Sequence, residues 1–160
     1  MNPSIRKKLV LCLRSGHVLA GFVEPEALSA AGQFQVLMPQ GRKVEVAGEQ
    51  LLAAYFVGEF VNVQMLASPA PRGAVPLPGV RVRCRTLDHQ TREGLLATDL
   101  LHLEAGVELT PPFAECSWQR VYIPRGALEQ FSIIGVVRPP RRRRAGSEAQ
   151  RWLFPSGEKG

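Results

Sequence analysis

Apolar and polar residues alternate along residues 119–137, QRVYIPRGALEQFSIIGVV, where Val121, Ile123, Phe131 and Ile133 fall on every second position of their runs. A period of two predicts strands with one buried face, and Pro124-Arg125-Gly126-Ala127 between them predicts a turn. A weaker copy lies upstream at residues 43–59, KVEVAGEQLLAAYFVGE. A shift of 77 positions lays Val44 on Val121, Val46 on Ile123, Leu51 on Leu128 and Gly58 on Gly135. The chain reads as one module built twice.

Taken in order, residues 9–13 and 18–23 flank Arg14-Ser15-Gly16-His17, a hairpin pattern with Gly16 at the turn. Gly21 lies inside the second strand, where a glycine marks a bend or a close backbone approach. Residues 24–32 fit a loop or one helical turn. Residues 34–38 and 44–46 predict the next two strands, 51–56 fits a strand or a short helix, and 60–66 is a further strand candidate. Residues 67–79, ASPAPRGAVPLPG, hold four prolines and two glycines and read as a linker. The pattern then restarts at residues 80–85, and Gly94 matches Gly21 at an offset of 73. Residues 86–90 read as a longer turn than their counterpart, 107–109 match 34–36, and 110–117 expand the following turn. The expected fold is all-β, with two tandem small, strongly bent β-barrels related by an internal repeat. The first barrel spans residues 1–66, the linker 67–79 and the second barrel 80–137, with a flexible basic tail at 138–160.

Composition refines this picture. The 160 residues are 45% hydrophobic, enough for a packed core, yet each half alone would bury little surface. The halves are therefore expected to pack together or to oligomerise. The formal charge is +6, and Arg141, Arg142, Arg143 and Arg144 supply four of those charges, so the body carries only about +2. Three cysteines, Cys12, Cys84 and Cys116, lack metal-ligand spacing. Buried reduced thiols and a cytoplasmic compartment are the expectation. Arg6-Lys7-Lys8 before residues 9–13 imitates an export signal, but the apolar run ends after five residues at Arg14. That run is too short for the role, and no stretch is long enough to span a bilayer.

The glycine in the second strand and the φ-x-φ-turn-φ segment at 119–128 resemble the Sm/Hfq-like small barrel. Residues 94–101, GLLATDLL, loosely resemble its glycine-to-aspartate strand pair. SH3-like barrels share much of this pattern. The resemblance implies RNA contact through the turn after the fourth strand, here Tyr122 and Arg125. The corresponding turn of the first copy, Val46-Ala47-Gly48-Glu49, is acidic and has no aromatic residue. The PilZ family of cyclic-dinucleotide sensors offers another likeness. Arg81 and Arg85 fit its Arg-x-x-x-Arg stretch, and residues 130–135, QFSIIG, come one substitution from its Asp/Asn-x-Ser-x-x-Gly.

No nucleophile elbow, phosphate-cradling glycine loop or His-Glu metal motif is present in the sequence. His17, His89 and His102 are scattered, and Asp88 and Asp99 lack a partner carboxylate. The chain is read as a non-enzymatic binding or assembly module without cofactor or metal. Candidate nucleic-acid contacts are Arg81, Arg83 and Arg85 on one strand face, Arg120, Tyr122 and Arg125 nearby, and Arg141, Arg142, Arg143 and Arg144 in the tail. Guanidinium groups bind phosphate in bidentate fashion and release counterions. The bland alternatives are an ordinary solvent-facing strand and a solubilising tail. Trp152, Leu153 and Phe154 form a candidate docking patch, for this chain itself or for a protein partner. Partners are thus expected among nucleic acids or other polyanions, a protein, or a second copy.

Overall fold

The apolar runs become strands. A computed structural model describes residues 6–24, 33–66, 72–97 and 105–141. The first half contains β1 (Lys7–Leu13), β2 (Val18–Val23), β3 (Gln33–Leu37), β4 (Lys43–Ala47), β5 (Leu51–Phe56) and the single helical turn α1 (Val63–Leu66). The second half contains β6 (Gly79–Thr86), β7 (Thr91–Leu96), β8 (Gly106–Thr110), β9 (Arg120–Pro124) and β10 (Leu128–Val137). No helix among the described residues is long and apolar enough to cross a membrane.

All ten strands join one antiparallel sheet in the order β10-β6-β7-β8-β9-β5-β1-β2-β3-β4. The sequence predicts two barrels in tandem; the strands instead form one continuous, open sheet. The physical reason is the pairing of β5 with β9, through Ala54↔Tyr122, Tyr55↔Val121 and Phe56↔Arg120. Backbone groups left open at the edge of either half find partners in the other.

Both halves carry the same strand order, fifth-first-second-third-fourth. The agreement extends to irregularities. The register of β5 against β1 slips at Leu52, between the pairs Cys12↔Ala53 and Leu13↔Leu51. That of β10 against β6 slips at Glu129, between Gln130↔Arg85 and Leu128↔Thr86, and again at Ile134, in the part of β10 that extends past the length of β5. A 3₁₀ turn joins β4 to β5 (Gly48–Gln50) and another joins β9 to β10 (Arg125–Ala127). In the hairpins, Leu13 N–H donates to His17 C=O at 2.9 Å and Thr86 N–H to Gln90 C=O at 3.0 Å. The turn at 87–90 therefore equals its counterpart in length, contrary to the expectation of a longer one. Gly16 (φ 86°) and His89 (φ 61°) occupy the same left-handed position in these turns.

Gly21 and Gly94 are sites of close approach. A β-carbon on Gly21 would lie 2.6 Å from Val36 Cγ1 and 2.7 Å from Leu37 O; one on Gly94 would lie 2.8 Å from both Leu109 Cβ and Thr110 O. Each glycine lets the second strand of its half approach the third closely.

The core divides in two. Leu9, Leu11, Val23, Phe34, Val36, Val46, Leu51 and Phe56 fill the first half. Val10, Cys12, Leu52 and Tyr55, from the opposite faces of β1 and β5, join Val82, Cys84, Leu109, Trp118, Val121 and Ile123 in the second. Strands at the middle of the sheet are thus covered on both faces, which is why β1 and β5 read as unbroken apolar runs. β6 alternates, its Val82 and Cys84 buried and its Arg83 and Arg85 exposed.

Two further expectations change. Residues 60–66 do not form a strand: Asn62 accepts from Gln64 N–H with its side chain and from Met65 N–H with its carbonyl, starting α1. Cys12 and Cys84 are buried, but Cys116 is exposed, because it sits on the loop after β8 instead of on a strand. Residues 75–77, read from the sequence as part of a linker, pair with the loop after β8. Leu77 N–H donates to Pro112 C=O, Ala114 N–H donates to Val75 C=O, and Pro76 bridges Phe113.

Candidate functional site

The arginines that alternate along β6 do not form an open basic line. Arg81 and Arg83 both reach Glu93 of β7, at 3.3 and 2.7 Å. Arg81 also stacks over the Phe113 ring at 5.4 Å. Arg85 reaches Glu129 of β10 at 3.0 Å, and His89 Nδ1 approaches the same carboxylate at 3.3 Å. Arg120 lies 3.7 Å from Glu108, and Tyr122 donates its hydroxyl to Ala105 C=O at 2.9 Å. Arg125 and Arg141 are exposed. Cross-strand pairing puts an acid beside most of these cations, as a half-exposed sheet face favours. Arg142, Arg143, Arg144, Trp152, Leu153 and Phe154 lie outside the described residues, as do Asp99 and His102. The two PilZ-like stretches run side by side on β6 and β10, with Ser132 opposite Arg83 and Gln130 opposite Arg85.

A polar cluster that the alternation does not reveal sits where the halves meet. Arg92 of β7 has a side chain only 12% exposed. Its Nε donates to the Tyr55 hydroxyl at 3.0 Å, and Nη1 donates to Thr86 Oγ1. Its terminal nitrogens face the Asp88 carboxylate at 3.5 Å, and Thr86 Oγ1 donates to Asp88 Oδ1. Burial pushes the Tyr55 hydroxyl and the Cys12 thiol up, and it pushes the Cys84 thiol up to about 11. Burial opposes charge on Arg92, but Tyr55, Asp88 and Cys12 outweigh it and raise the guanidinium further. Asp88 is likewise opposed by burial, yet hydrogen bonds from Thr86, Arg92 and Gln90 N–H hold its carboxyl below the ordinary value. One arginine thereby ties β7 to β5 across the junction, its donors satisfied by groups from both halves.

Tyr55 also meets Trp118 edge-on, with ring centroids 5.7 Å apart. These groups wall a cleft of about 900 Å³ between the first hairpin, α1, the second hairpin and the 112–118 loop. A signal for Arg92 was present in the sequence. The 73-position offset lays it on Leu19, a partly buried leucine packed on the first core.

The ends of the sheet differ from its middle. Among the described residues, β4 and β10 each have a strand on one side only. β10 exposes Ile133 (58%), Ile134 (38%) and Val136 (67%). Its counterpart β5 is buried at every position. No curated protein and no solved structure matches the chain. A family model covers residues 5–135, which span both halves of the sheet, the junction cluster and nearly all of β10, and the chain accordingly belongs to the Family of unknown function (DUF6982).

Proposed function

We propose that the protein is a non-enzymatic binding and assembly module, made of two copies of one small, strongly bent Sm-like unit, whose contacts run through the ends of its sheet. The shared strand order, the matching slips at Leu52 and Glu129 and the paired 3₁₀ turns support duplication. The observation that carries the assembly role is the edge strand β10, with Ile133 and Val136 58% and 67% exposed beside open backbone groups. Edge strands on monomeric proteins are ordinarily shortened, charged or covered. Ten residues with three large exposed apolar side chains invite a partner strand instead.

Polyanion binding through the body has less support, because Arg81, Arg83, Arg85 and Arg120 each face a glutamate. Light scattering of the full chain across a concentration series tests the assembly role. The expected mass exceeds 17.6 kDa, and Ile133→Lys with Val136→Lys shifts it toward one chain while far-ultraviolet circular dichroism stays unchanged. A single-chain mass at every concentration refutes self-assembly. Labelled RNA and duplex DNA titrated at two salt concentrations give the competing result: tight, salt-dependent binding by the same charge-pair arginines.

A further inference from the structure

Resting on the assembly role proposed above, we infer that the partner strand is β4 of a second copy, added to β10 head to tail in a register that the chain already displays internally. The junction between the halves is the template. There β5, the fifth strand of the first half, pairs with β9, the fourth strand of the second. The strands left at the ends are the complementary two, the fifth strand of the second half (β10) and the fourth strand of the first (β4). Each end offers what the other end's counterpart uses.

The register follows from the same correspondence. A shift of 77 carries β4 (Lys43–Ala47) onto β9 (Arg120–Pro124), and the start of β5 (Leu51) onto the start of β10 (Leu128). Applied to the junction pairs Ala54↔Tyr122, Tyr55↔Val121 and Phe56↔Arg120, it puts Phe131 opposite Glu45, Ser132 opposite Val44 and Ile133 opposite Lys43 of the neighbouring copy.

Burial agrees with this assignment. At the junction Ala54 is 0%, Tyr55 5%, Phe56 8% and Val121 1% exposed. At the free ends the equivalent Phe131, Ser132 and Val44 are only partly buried, and Ile133 is 58% exposed. The charges on β4 do not block the contact. Arg120 occupies the position of Lys43, yet β9 pairs across it, its guanidinium turned to Glu108 on the next strand. Because the two surfaces differ, the contact is heterologous, and repetition closes a ring or extends a filament.

Thiol pairing reads the register directly. In a full-length Cys116→Ser background, which removes the exposed native thiol, Val44→Cys protein is mixed with Ser132→Cys protein under mild oxidation. The expected product is a disulfide-linked dimer from the mixture and none from either variant alone. A chain carrying both substitutions yields a ladder of dimers, trimers and larger species. The Lys43→Cys and Ile133→Cys pair is predicted opposite as well and provides a second readout should one variant fold poorly. Linkage of Ser132→Cys to itself would mean two-fold β10–β10 contact and would overturn the inference. Association that dissociates with Ile133→Lys but leaves both thiol pairs unlinked would overturn this register while sparing the assembly role. A chain that is monomeric at every concentration would remove both.

Discussion

Replacing Gly94 with alanine isolates the close approach of β7 to β8. The added methyl would sit 2.8 Å from Leu109 Cβ and 2.8 Å from Thr110 O. Carbon–carbon contacts are most favourable near 3.5–4.0 Å, so one strand must retreat by roughly 0.7–1 Å. Thr110 is not free to do so, because it pairs with Leu95 in the short β7–β8 ladder. Overpacking of this kind costs about 1–3 kcal/mol. Gly→Ala gains about 0.4–1 kcal/mol by restricting the unfolded chain, which leaves a net loss of up to about 2.5 kcal/mol, centred on about 1.3 kcal/mol. For a domain of this size the central value lowers the thermal midpoint by roughly 3–5 °C. Gly135 supplies the control, since a β-carbon there meets nothing within 4 Å. Thermal and urea unfolding of Gly94→Ala, Gly21→Ala and Gly135→Ala should place the first two below wild type and the third at or above it. If Gly94→Ala matched Gly135→Ala, the close approach would be irrelevant to stability.

Arg92→Met removes the tie between the halves, leaving the Tyr55 hydroxyl without this donor and Asp88 with only Thr86 and the Gln90 N–H. Because Asp88 is about one-third exposed and can rehydrate, the expected loss is about 2 kcal/mol in urea unfolding. Arg92→Lys should recover little of it, since one ammonium cannot reproduce the planar fork. The Asp88 carboxyl is held below its ordinary value in the folded chain, so its contribution is complete above the unfolded value and is lost as pH falls through the depressed one. Wild type should therefore lose urea resistance progressively as pH falls below the ordinary carboxyl value, and Asp88→Asn should flatten that part of the profile. An aromatic disulfide reagent should label Cys116 promptly in the native protein, and Cys12 and Cys84 only on unfolding, because the first is exposed and the other two are buried. Rapid labelling of all three would contradict the packing of β1 and β6.

Much of the local structure was legible because a strand's period and a turn's composition are properties of neighbouring residues. Val121 and Ile123, Val82 and Cys84, and the turn at Gly16 all declare themselves within a few positions. The 77- and 73-position offsets were legible too, since Leu51 and Leu128, or Gly21 and Gly94, can be aligned without knowing that the first two start β5 and β10 and the second two lie within β2 and β7. The ambiguity of residues 51–56 was also informative: a run apolar at every position belongs to a strand covered on both faces. Tertiary structure alone decided that the halves share one sheet, because the β5–β9 pairing depends on backbone edges that carry no side-chain signature. It also decided that Arg81, Arg83 and Arg85 face glutamates and that Arg92 lies at the junction. Those partners stand on other strands, Tyr55 being 37 residues from Arg92, and a charge's environment is set by what the fold brings beside it. Sequence by itself determines which segments can become strands and where they must bend; the sheet order determines which edges, charges and apolar faces are left for a partner.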